Sequence, residues 1–127
     1  MNKDELTAQH KNDLGKNERE MSEFLSKKRN LEENRHNLNA WKRKNMTFYS
    51  QMRSELASEG LKDETKTIDN ILDSTSHACR KVERSYEQKY EEIERQRKRL
   101  SVQKEDYEIN YRRAMQDVDK KRGDVVR

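Results

Sequence analysis

The sequence predicts an all-α fold: an antiparallel hairpin of two long, coiled-coil-like helices, completed by dimerisation or by a helical partner. Three observations predict it. First, Leu72, Cys79, Tyr86, Ile93, Leu100, Tyr107 and Ala114 stand one heptad apart, with mostly Lys, Arg, Glu, Asp, Gln and Ser between them. A repeat of seven held over that distance is the pattern of a long helix packing one narrow seam against another helix. Second, the 127-residue chain has no proline and three glycines, of which only Gly60 lies far from both ends. Third, hydrophobic residues make up 29% and charged residues 43%, against roughly 45–50% and about 25% in an ordinary globular domain. So polar a chain cannot wrap a thick core, and its sustained phase argues against a disordered polyampholyte. The expected organisation is one hairpin over residues 1–127.

The first helix is expected from about residue 6 to 57. Phe24, Leu31, Leu38, Asn45 and Met52 form one comb of sevens. The sister positions Lys28, Arg35 and Lys42 are basic where a strong coiled coil is apolar. Asn45 reads equally as a register-fixing polar residue or as a tolerated surface residue.

The bend is expected at about residues 58–63. Gly60 follows the first periodic run, where glycine is favoured at the left-handed position that closes a helix. Asp63 and Thr65 are candidate N-caps for the next helix. An unbroken helix through Gly60 is the competing picture.

The second helix is expected from about residue 64 to 122, with Ile68, Ile71, Leu72 and Val82 filling out the comb. At 1.5 Å rise per residue the arms would reach about 75 and 90 Å. Apolar residues are densest near the bend, so Trp41, Phe48, Tyr49 and Met52 with Ile68, Leu72 and Val82 form the expected core around Gly60. Away from the bend the stripes are one residue wide. Two such stripes leave little margin over the entropy of ordering them. Phe24, Leu31, Leu38, Ile93, Leu100, Tyr107 and Tyr111 are therefore the expected partner-binding seam, open to a second copy or to another helical protein.

The charge pattern narrows the partner classes. Net charge is +4, and residues 54–79, with two basic and six acidic residues, separate two basic arms. The basic residues point around the helices and are interrupted by acids, which disfavours nucleic acid. No wide apolar face opposes them, which disfavours a membrane surface. No stretch approaches the roughly 18–20 apolar residues needed to cross a bilayer. Met1–His10 has no signal-peptide stretch, and one cysteine suits a reducing compartment. The expected location is the cytoplasm, with co-export by a signal-independent route left open.

Catalytic and metal chemistry are not written in the chain. No catalytic residue, cofactor-binding motif or metal-ligand set is found. His77 and Cys79 stand two apart on one helix and point in different directions. The expectation is a non-enzymatic protein with no cofactor.

The stretches Val82–Leu100 (VERSYEQKYEEIERQRKRL) and Gln103–Arg113 (QKEDYEINYRR) resemble the ending of small helical accessory proteins encoded beside LXG-domain toxins of the type VIIb secretion system in Gram-positive bacteria. The resemblance covers about a quarter of the chain. It implies a helical hairpin acting as a targeting chaperone, which binds the helical LXG domain of one toxin together with a WXG-like accessory protein. The bend here is Ser58-Glu59-Gly60, not the Trp-x-Gly of WXG-like proteins, and Trp41 stands well before it. Tyr90 and Glu94 match that system's export-signal spacing, but in mid-arm, so the resemblance places the signal on the partner. The functional expectation is an adaptor or targeting chaperone for a secreted toxin. The alternatives are a self-assembling structural coiled-coil subunit and a basic helical nucleic-acid-binding protein.

Overall fold

The computed structural model describes the backbone of residues 1–126 and the side chains through Arg122. It is an all-helical hairpin, 96% helical and with no strand among the described residues. Helix α1 spans Lys3–Ser58 and helix α2 spans Lys62–Val126. Neither is long and apolar enough over any stretch to cross a membrane, within the described residues.

Helix α1 starts three residues earlier than expected because Asn2 caps it. The Asn2 Oδ1 accepts the Glu5 amide at 2.8 Å, and its Nδ2 donates to the Glu5 carboxylate at 3.2 Å. This is the logic of a capping box, with Asp4 and Glu5 suiting the positive end of the helix dipole.

The reversal is tighter than expected and takes only Glu59, Gly60 and Leu61. Gly60 has φ +73°, the left-handed conformation that glycine adopts without steric cost. The Gly60 amide donates to the Ala57 carbonyl at 3.1 Å, and the Leu61 amide to the Leu56 carbonyl at 3.0 Å. These two bonds are a Schellman closure. The expected N-caps Asp63 and Thr65 are not caps. The Leu61 carbonyl already accepts the Thr65 amide at 3.0 Å, so both residues lie inside the first turn. The Thr65 hydroxyl donates back to that same carbonyl at 2.7 Å.

The chain forms two compact units: Met1–Lys27 with the chain from Glu92 onward, and Lys28–Glu91. In the first, Leu100 is 0% exposed, Ile93 is buried, and Phe24, Tyr107 and Tyr111 are half-buried. His10 stacks on Tyr111 with ring centroids 4.2 Å apart and planes within 3°, and the Thr7 hydroxyl lies 3.0 Å from the Tyr111 hydroxyl. In the second unit, Leu31, Ile68 and Cys79 are buried. Leu38, Tyr49, Met52 and Leu72 are half-buried.

Two expectations are corrected by these burials. Trp41, Phe48 and Val82 do not belong to the core; they are 51%, 55% and 39% exposed. Each stands one residue before a seam position, so it falls on the flank of its helix. Density of apolar residues near the bend had suggested a core, but phase decides which of them face inward. Nor are Leu31, Ile93 and Leu100 a seam left open for a partner, because the single chain buries all three.

Candidate functional site: an exposed apolar edge

Each helix carries two combs of inward positions, and their chemistry differs. On α2 one comb is Leu72, Cys79, Tyr86, Ile93, Leu100, Tyr107 and Ala114. The other runs through Asp69, Ser76, Glu83, Tyr90, Arg97, Lys104, Tyr111 and Val118. On α1 the second comb is Met21, Lys28, Arg35, Lys42, Tyr49 and Leu56. The second combs face each other. In the Lys28–Glu91 unit, Arg35 Nη2 lies 2.8 Å from Glu83 Oε2, and Lys28 Nζ lies 5.8 Å from the centroid of the Tyr90 ring. The Tyr90 hydroxyl donates to Glu32. This unit therefore has an apolar line beside a largely polar one.

These facing pairs locate the exposed aromatics. Trp41 and Phe48 each directly precede a second-comb residue of α1, namely Lys42 and Tyr49. Thr75 and Val82 directly precede Ser76 and Glu83 on α2. One step back along a helix moves each residue to the flank beside the apolar line. In an antiparallel pair, those flanks of the two helices form one edge.

The α2 side of the edge is uncharged along its middle. On α2, Ile68, Ile71, Thr75, Ala78, Val82 and Ser85 follow one another at alternating three- and four-residue steps. That is a second heptad-like stripe, beside the one the hairpin uses. Ile68 is buried, Ile71 and Thr75 are half-buried, and Ala78, Val82 and Ser85 are exposed. On α1 the matching strip is Asn34, Asn37, Trp41, Lys44, Phe48 and Gln51, with Lys44 its one charge. Phe48 also meets the Tyr49 ring edge-on, with centroids 5.4 Å apart. Two large aromatics exposed on one strip with a single charge mark an interaction surface better than scattered surface apolar residues do. Sequence reasoning singled out Trp41, Phe48 and Val82 but placed them inside. Their shared heptad phase, one step off the combs, was the signal for the edge.

The remaining sequence candidates do not gather into a site. Cys79 is buried on the apolar comb. Among the described residues, no group of three His, Cys, Asp or Glu side chains could hold a metal ion. Many basic side chains are paired with acids on the helices: Arg53 with Asp69, Arg95 with Glu92, Arg97 with Glu94 and Arg99 with Glu20. Hydrogen bonds from Gln96 and Arg95 hold the Glu92 carboxyl below its ordinary range, and Asp69 raises Arg53 above its own. Both groups are exposed on the surface of the helices. Asn45 settles as a local residue: its Nδ2 donates to the Trp41 carbonyl of its own helix at 2.8 Å.

No protein-family model, curated protein or solved structure matches the chain.

Proposed function

We propose that this protein is a non-enzymatic adaptor that works by helix–helix association, presenting the Trp41–Phe48–Val82 edge to helices of another polypeptide. The observation that carries the proposal is the pairing of two half-exposed aromatics with an uncharged, heptad-spaced strip on the neighbouring helix. Tryptophan is large, rigid and amphipathic, and it dominates the centre of many interfaces. The mixed charges around the edge suit choice of partner and orientation more than affinity.

In its finer form the proposal is that of a targeting chaperone for an LXG-type toxin domain, with a WXG-like accessory protein, in type VIIb export. That form rests on the resemblance carried by Val82–Arg113. Co-expression with an LXG-type toxin domain from the same genome, followed by copurification, tests it. The wild-type protein should form a stable complex, and Trp41→Ser with Phe48→Ser should abolish it while the hairpin stays folded by circular dichroism. A complex that survives both substitutions would sink the assignment to this edge. Failure of the wild-type protein to bind any such domain would sink the toxin-export form.

A further inference from the structure

We infer that, in the free protein, the Trp41–Phe48–Val82 edge is covered by a second copy of the chain, packed antiparallel about a two-fold axis near Phe48. The inference rests on the edge described above and names its occupant when no client is bound.

The argument is charge complementarity along the edge. Within the Lys28–Glu91 unit, the half that runs from Arg35 to the turn and back to Ser85 changes from basic to acidic towards the turn. Residues 35–46 and 74–85, which hold Trp41 and Val82, contain seven basic residues and one acidic residue. Residues 47–58 and 62–73, nearer the turn, contain three basic and five acidic residues. On the edge itself the same order holds. Exposed Lys44 and Lys81 rim the end that holds Val82, and exposed Glu55 and Glu64 rim the end near the turn. A parallel copy would set like charges side by side. An antiparallel copy sets Lys44 and Lys81 towards Glu55 and Glu64 of its mate, twice over by symmetry. A two-fold contact is isologous, so the surface need only complement itself reversed, and this one does.

The apolar groups agree with that placement. The boundary between the basic and acidic stretches lies beside Phe48 on α1. A two-fold axis there leaves Phe48 and Ile71 near the axis and carries Trp41 towards the level of Ile68 on the other chain. The α2 stripe of the second copy also supplies the three–four apolar spacing that a packing helix needs. No unseen sequence has to be invoked to fill the edge.

The test uses the full chain. Sedimentation equilibrium should give twice the 15.4 kDa chain mass at micromolar concentration, and Trp41 emission should shift to the red on dilution. Trp41→Ser with Phe48→Ser should return the monomer with unchanged helicity. Lys81→Glu alone and Glu55→Lys alone should each weaken the dimer at least tenfold at low salt. The double variant should restore it, because the swapped charges meet again across the axis. A monomer at all concentrations overturns the inference. So does a dimer that ignores the edge substitutions, or single charge reversals that cost nothing. Loss of the dimer with client binding intact leaves the adaptor proposal standing, so the two can fail separately.

Discussion

The side chain of Asn17 donates to the main-chain carbonyl of Leu100 across the hairpin, at 2.8 Å. Its second N–H reaches the Gln103 Oε1 at 3.1 Å. Asn17 is 3% exposed and Leu100 fully buried, so a polar layer stands at the tightest point of its unit. The observed alignment of the helices gives this amide both acceptors. A polar residue at one inward position fixes register in this way, at some cost in stability.

Asn17→Leu is therefore expected to raise the midpoint of thermal unfolding while loosening alignment. Spin labels placed on the two arms should report a broader distance distribution in the variant than in the wild type. A narrower distribution, or an unchanged one, would show that the amide does not set register.

Burial separates the residues that hold the fold from those that present a surface. Leu100→Ala should cost about 2–5 kcal/mol by urea unfolding, the usual range for deleting a buried Leu side chain. Trp41→Ser and Phe48→Ser, studied below the concentration of any association, should each change stability by about 0.5 kcal/mol or less, as exposed substitutions do. The reverse order of effects would restore Trp41 and Phe48 to the core.

The same contrast shows what was legible in the sequence. The hairpin, its break at Gly60 and the apolar comb ending in Leu100, Tyr107 and Ala114 follow from spacing alone, because burial on a helix is set by phase. The core near the bend was misplaced because Trp41, Phe48 and Val82 were weighed by apolarity without their phase. The buried Asn17 was missed because it occupies the comb of Phe24 and Leu31 as a polar residue, where a count of apolar positions passes over it. The consumption of the seam by the chain itself could not be read from stripe width. It depends on how closely the two helices approach, which stripe width alone does not give.

Gly15 and Gly60 should respond to alanine with opposite signs. Gly15 lies inside α1, and a methyl group there would meet only the Arg19 Nη1 at 3.8 Å, an ordinary contact. Gly15→Ala should therefore stabilise the protein by about 0.5–1 kcal/mol, the usual preference for alanine over glycine within a helix. At Gly60 space is free, but φ is +73°. Gly60→Ala should destabilise by about 1–2 kcal/mol through the left-handed backbone alone. Chemical denaturation of the two variants in parallel would decide.

The polar line between the helices sets the last prediction. Arg35 gives both contacts to one oxygen of Glu83, with Nε at 3.1 Å and Nη2 at 2.8 Å. The other oxygen, Glu83 Oε1, is buried without a hydrogen-bond partner. The pair is thus desolvated on one side and only half satisfied, a geometry in which the attraction barely repays the loss of water. Removing one partner leaves the other charge facing a line that cannot replace it. Removing both frees the seam for apolar packing. Arg35→Leu and Glu83→Leu should each destabilise the hairpin, while the double variant should match or exceed the wild type. The coupling should be about 0.5–1 kcal/mol in a double-mutant cycle, because Arg35 and Glu83 keep 39% and 28% of their side chains exposed. Additive losses in the double variant would mean that the two side chains act separately and that the polar line is ordinary solvated surface.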